Sequence, residues 1–253
     1  MARKDGRAND ELRPVSISLD FTENPDASVL VKFGKTIVWC SASVQNEQPR
    51  WMKYEGPENK GWVTAEYSMM PGSTSPRNRR EGRRGSIGGR THEIQRLIGR
   101  SLRAVTDLEK LGPKTFTIDC DVLQADGGTR TASITGAFVA LAIAVQKLID
   151  KGELKELPFR DSLAAISCGI VDGVPMLDLP YIEDVAADVD MNVVMTGNGS
   201  FVEVQGTGEE SVFSADELSA LLKLAGKGVK DLTAIQAEAV KDYPNLVKFF
   251  TNK

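Results

Sequence analysis

The densest chemistry in the sequence lies in Gln124-Ala125-Asp126-Gly127-Gly128-Thr129-Arg130-Thr131-Ala132-Ser133. A strand-like segment feeds a glycine pair, then Thr-Arg, then an apolar helical stretch. Glycines lacking Cβ let backbone amides approach an anion, and a helix N-terminus offers unpaired N–H groups at the positive end of its dipole. The Thr129 hydroxyl can add a donor, and the Arg130 guanidinium can bind two phosphate oxygens at once. The competing reading is an ordinary glycine turn with Thr131 as N-cap. A Walker-type loop is excluded: Gly34-Lys35-Thr36 has the tail of that motif, but Val29 stands where its first glycine should be.

Arginine is the second concentration. Residues 77–103 hold nine arginines, no lysine and only Glu81 and Glu93 as acids, a local balance of +7 in a chain of net charge −4. An acidic protein with one dense arginine block carries a localised anion site, or sites. Arg96, Arg100 and Arg103 fall on a helix face near Glu93 and Asp107, which fits a solvated, salt-bridged face. Arg77, Arg79, Arg80, Arg83 and Arg84 sit in a Gly/Ser/Pro-containing loop with only Glu81 to compensate. That pattern fits contact with a phosphodiester backbone, or a merely solubilising loop. Arg90 follows Gly88-Gly89 and opens a helix, so it can point at an anion beside that helix start.

Carboxylates are the third. Asp184, Asp188 and Asp190 share parity, so an extended backbone would project all three from one face. Clustered carboxylates repel unless a cation sits among them, and Mg²⁺ prefers such oxygen ligands; surface solvation is the alternative. Asp119 and Asp121 alternate with apolar residues and read as the outward polar face of a strand. His92 is the only histidine in the chain, which removes most zinc sites and most histidine-dependent mechanisms.

These residues need a frame to position them. The 253 residues, 41 % hydrophobic and 26 % charged, suit a soluble globular protein with an adequate core. No charge-free apolar run reaches the roughly 18 residues of a membrane span, and the charged start does not read as a signal peptide. Cys40, Cys120 and Cys168, odd in number and far apart, read as buried reduced thiols of a cytoplasmic protein.

The first 44 residues predict a β-meander, with Val15–Leu19 alternating and Gly34-Lys35 joining 29–33 to 36–40 as a hairpin. Residues 45–89 read as a long irregular loop. A helix is expected over about 91–110, a strand over 116–122, and a fully buried helix over 131–146, which holds no charged residue. Strands follow near 163–171, 175–179, 190–196 and 200–205, then a helical tail from Ser214, an N-cap with Glu217 three residues on, to about Asp242. Strands then helix, twice over, give an α+β chain of two similar βα halves, roughly 1–150 and 151–253. No flexible linker separates them, so they read as one structural domain.

Ordered blocks then carry a resemblance that runs nearly end to end. They are Asp5-Gly6-Arg7 with Asp10-Glu11-Leu12-Arg13-Pro14; Gly61-Trp62-Val63-Thr64-Ala65-Glu66-Tyr67-Ser68-Met69; Gly89-Arg90-Thr91-His92-Glu93-Ile94-Gln95-Arg96; Gln124 to Thr135; and Asp190-Met191-Asn192-Val193-Val194-Met195-Thr196-Gly197 followed by Phe201-Val202-Glu203-Val204-Gln205-Gly206-Thr207. Together they resemble the RNase PH family of bacterial phosphorolytic exoribonucleases. The resemblance implies a single core of that type with a phosphate site at Arg90, Gly128, Thr129 and Arg130. It implies a catalytic pair, Asp184 and Asp190, holding a divalent metal, usually Mg²⁺. It also implies tRNA precursors and other structured RNAs as substrates, and a homo-oligomeric ring of six subunits built as three dimers.

Inorganic phosphate would be both co-substrate and nucleophile, reversibly releasing nucleoside diphosphates. That anion needs little deprotonation, so a lone histidine is no handicap. The alternatives are a non-catalytic RNA-binding ring subunit of the same fold and a hydrolytic 3′-exonuclease, which would usually need several carboxylates on two metals.

Overall fold

The structure, a computed structural model, describes residues 3–57, 59–81, 85–209 and 211–251. The first sheet is built from β1 (Val15–Leu19), β2 (Ala27–Phe33), β3 (Thr36–Gln45), β4 (Trp62–Met69) and β5 (Thr115–Gln124), in the order β1-β2-β3-β5-β4. β6 (Leu163–Val171), β7 (Val174–Leu177), β8 (Val189–Thr196) and β9 (Phe201–Gly208) form an antiparallel second sheet in the order β7-β6-β8-β9.

The β-meander and its Gly34-Lys35 turn stand as expected, Gly34 supplying the positive φ of +55°. Residues 45–89 are a correction, for they contain α1 (Arg50–Glu55) and β4. β4 alternates inward Val63, Ala65 and Tyr67 with outward Glu66 and Ser68, and it runs parallel to β5. A parallel pair has no tight turn to announce it, and flanking glycines and prolines hid this one.

α2 (Gly89–Val105) stops short of 110 because Thr106 turns extended and bridges Phe159. The C-terminal helix α5 (Ala215–Ala239) begins with the expected capping box at Ser214 and Glu217. It ends near Val240, and a further helix, α6 (Pro244–Thr251), follows. Proline has no N–H to continue a helix but is tolerated in the first turn.

α3 (Thr129–Asp150) organises the molecule. It packs on β2, β3 and β5 of the first sheet and on β6 of the second. By length and composition alone this helix could cross a membrane, but 89 % of its apolar window is buried inside the fold. It is therefore the central core helix, as its charge-free run predicted. Gly136 permits the close approach, since a Cβ there would lie 2.8 Å from both Cys40 Sγ and Val31 Cγ1. β6 is buried at every position because α3 and α5 both pack against it, which is why its sequence does not alternate. One continuous core spans both sheets, and the three cysteines lie in it as free thiols.

Candidate functional site

The turn between β5 and α3 is shaped by glycine. Gly127 and Gly128 sit at φ +74° and +66°, the left-handed region that residues with a Cβ rarely enter. A Cβ on Gly127 would lie 2.5 Å from the Leu179 carbonyl oxygen, so the turn packs directly on the chain leading into α4 (Tyr181–Asp184). Gly128 is the N-cap of α3 and offers no side chain to the first amides. Thr131, the alternative N-cap, instead donates to the Gly128 carbonyl at 3.0 Å.

Thr129 begins α3 with its side chain buried and its hydroxyl 2.9 Å from the Tyr67 hydroxyl. Arg130 is held from the side: Nη1 donates to Gln205 Oε1 at 2.8 Å and lies 3.3 Å from Glu93 Oε2. Its guanidinium is thereby held in a fixed orientation at the start of α3.

The two carboxylates reach the same place by a route that differs from the expected one. Asp184 ends the short helix α4 and Asp190 sits near the start of β8, so no continuous extended strand links them. Asp188 is exposed and does not line the cavity, so its inclusion with the other two is corrected. Burial pushes the Asp190 carboxyl up to about 6; nearby Asp184 adds to the rise and Arg130 opposes it. Burial likewise raises Asp184, against the pull of Arg130, Arg13 and Arg90. Asp190 Oδ1 is buried without a hydrogen-bond partner among the described residues, while Asn192 Nδ2 donates to its Oδ2 at 3.5 Å.

Arg90, the second residue of α2, lines the same cavity of about 460 Å³ as Gly128, Thr129, Arg130, Asp184 and Asp190. Two helix N-termini, one short helix and one strand thus converge. A larger recess of about 790 Å³ beside Phe159 and Phe249 gathers none of the residues singled out by sequence.

The arginine loop behaves differently. Arg77, Arg79 and Arg80 are exposed and make no ion pair among the described residues. Arg80 lines a second recess with Glu66, Asp119 and Asp121 instead of the central cavity. Arg83 and Arg84 lie outside the described residues. The helix arginines are corrected in part: Arg100 pairs with Glu203 at 2.9 Å, not with Glu93. Arg103 is half-buried over the Trp62 ring at 4.5 Å and donates to the Val63 carbonyl.

Ser167, Tyr181 and Asn192 also line the cavity and were missed in the sequence. Asn192 shares the strand parity of Asp190, which was a usable signal. Tyr181, 61 % exposed at this site, carried none in a short apolar stretch.

Comparison with known proteins agrees with this geometry. Residues 11–146 match domain 1 of the 3′ exoribonuclease family and residues 161–228 match domain 2. The chain is 58 % identical to Ribonuclease PH of Bacillus subtilis over 242 residues, covering 95 % of this chain and 97 % of that protein. It is 57 % identical to Ribonuclease PH of Syntrophomonas wolfei over 236 residues, covering 93 % and 98 %. The Archaeoglobus fulgidus exosome solved with RNA bound to its active site shares the fold at TM-score 0.75 and 23 % identity, with 91 % of each chain covered. An archaeal exosome core does so at TM-score 0.70 and 22 % identity, covering 92 % of this chain and 91 % of that one. With both halves matched in order around one shared cavity, the chain belongs to the ribonuclease PH family of 3′ exoribonucleases.

Proposed function

We propose that the central cavity carries out phosphate-dependent 3′-to-5′ trimming of RNA, as its Ribonuclease PH relatives imply. The observation that carries the reading is the meeting, in one cavity, of a glycine turn at a helix N-terminus, two arginines and two carboxylates. Phosphorolysis must hold two mutually repelling anions in line, inorganic phosphate and the terminal phosphodiester. Gly128, Thr129, Arg130 and Arg90 hold the phosphate. One of its oxygens forms a bond to the terminal phosphorus, and the bond from that phosphorus to the preceding 3′-oxygen breaks. The terminal nucleotide leaves as a nucleoside 5′-diphosphate, and the new 3′-oxygen takes up a proton. Bond energy is retained, so the step reverses with excess diphosphate.

Asp184 and Asp190 form the catalytic pair. A carboxyl raised to about 6 exchanges its proton readily near neutrality and suits protonation of the leaving oxygen. The same pair fits a divalent cation such as Mg²⁺. Asp184 raises the pKa of Asp190, and Asp190 Oδ1 is a buried acceptor without a partner among the described residues. When bound, the ion supplies neutralisation of developing phosphoryl charge.

The substrates are 3′ ends of tRNA precursors and other structured RNAs, gripped by the arginine block Arg77, Arg79, Arg80, Arg83 and Arg84. The working form is a homo-oligomeric ring of three dimers in the cytoplasm, and each chain acts as a single domain because α3 serves both sheets. A non-catalytic subunit is disfavoured, since both arginines and both carboxylates are present.

The deciding experiment incubates the protein with 3′-extended tRNA and Mg²⁺, with and without phosphate, and identifies the released nucleotide. Nucleoside diphosphate, formed only with phosphate, is expected. Monophosphate released in phosphate-free buffer would overturn the reading. Light scattering checks the ring.

A further inference from the structure

Residues 3–14, before β1, form neither helix nor strand, yet Arg3 and Arg13 among them are each only 4 % exposed. Burying a guanidinium is unfavourable unless its donors are satisfied, so each must hold something. Arg13 holds Asp178, itself 1 % exposed: Nη2 donates to Oδ1 at 2.7 Å, and Nε and the backbone N–H both donate to Oδ2.

The remaining Arg13 donors reach the glycine turn. Nη1 donates to the Asp126 carbonyl at 2.5 Å and Nη2 approaches the Gly127 carbonyl at 3.4 Å. Thr36, fully buried, adds a second grip: its hydroxyl donates to the Gly127 carbonyl at 2.7 Å and accepts from the Asp126 N–H at 2.9 Å.

A trans peptide is planar, with its C=O and N–H pointing in opposite directions. Fixing the Asp126 and Gly127 carbonyls toward Arg13 and Thr36 therefore turns the Gly127 and Gly128 N–H groups the other way. Neither of those N–H groups has an acceptor among the described residues.

The same anchor reaches the carboxylate side of the cavity. Asp178 lies six residues before Asp184, and the chain between them packs on Gly127. Arg3 spans both ends of that stretch, donating to the Leu177 and Asp178 carbonyls and pairing with Glu183 in α4.

We infer that Arg13, braced by Asp178, is a positioning residue that turns the Gly127–Gly128 amides toward the phosphate and fixes their distance from Asp184. It touches no reactant; it acts through the turn. The inference rests on the phosphate site proposed above.

The test measures phosphorolysis against phosphate and against RNA for the wild type, Arg13→Lys and Thr36→Val, together with the thermal stabilisation that inorganic phosphate gives each protein. Lysine keeps the charge opposite Asp178 but cannot fork to both carbonyls. KM for phosphate is expected to rise about tenfold in Arg13→Lys, the loss of roughly one charge-assisted hydrogen bond. KM for RNA should be unchanged, and the phosphate-induced rise in Tm should shrink. Thr36→Val, close in shape, should show the same split more weakly.

Wild-type KM for phosphate in both variants would overturn the inference. So would a fall in kcat with phosphate KM and the Tm response unmoved, the mark of a merely structural role. If Arg13→Lys does not fold, Thr36→Val decides alone. A wild type indifferent to phosphate would refute the site itself, a separate failure.

Discussion

Two groups of carboxylates in this molecule have raised pKa values, and they differ in what opposes their charge. Glu66, Asp119 and Asp121 share a recess on the outer face of the first sheet, Glu66 opposite Asp119 in the β4–β5 register. Burial raises all three; Asp119 raises its two neighbours further, and only His92 acts against the rise, at Glu66. Asp184 and Asp190 are raised by burial too, but Arg130 pulls on both, and Arg13 and Arg90 pull on Asp184. Crowded acids alone mark only a place where charge is uncomfortable. Acids balanced by aimed arginines beside free amides mark a place where anions are handled.

Substitution can break this comparison. The largest effect is expected from Asp190→Asn, which should lower kcat by about 10²–10⁴-fold with RNA binding largely intact, whereas Asp119→Asn should stay within about twofold. Equal losses in single-turnover assays would erase the distinction. Next come Arg130→Ala and Arg90→Ala, each expected to cost about 10²-fold in phosphate-dependent activity while the protein stays folded. Full activity of either at limiting phosphate would remove that residue from the site.

The third prediction concerns stability in metal-free buffer. Because the folded-state pKa of Asp190 is raised to about 6 from 3.8, the fold favours its neutral form. That contribution is fully present below about pH 4 and is lost as pH rises through about 6. Asp190→Asn should therefore be more stable than the wild type at pH 7, by at most about 3 kcal/mol, with little difference at pH 4. Urea unfolding at the two pH values measures this, and a variant no more stable at pH 7 would refute it.

The smallest effect is sought outside both recesses. Neutralising Arg77, Arg79 and Arg80 together should weaken tRNA binding and lower the slope of log K against log salt by about 2 to 3. An unchanged slope would make the loop a solubilising one.

The sequence exposed some of this and hid the rest for physical reasons. The glycine turn that opens α3, the proposed phosphate site, was legible because its parts are contiguous: glycine pair, hydroxyl, guanidinium and helix start occupy four consecutive residues, Gly127 to Arg130. The β2–β3 hairpin was legible from its two-residue turn, and α3 from its charge-free run. β4 was not, since its partner β5 lies parallel and far along the chain. Asp184 and Asp190 do line one cavity, but not for the reason read from the sequence, because the intervening chain winds through α4 rather than running extended. Arg13 was legible only as part of a familiar block. Its brace is 165 positions away, and no local spacing reports such a contact.

The central helix has a further consequence. Its N-terminus carries the anion-facing turn from the first sheet, while the carboxylates come from the second, and one buried rod joins the two. A chain severed between Asp150 and Leu163 would leave the proposed phosphate turn on one fragment and both carboxylates on the other. Closure is thus built into the proposed site: its turn and its carboxylates face one cavity only while the two halves are seated on each other through α3.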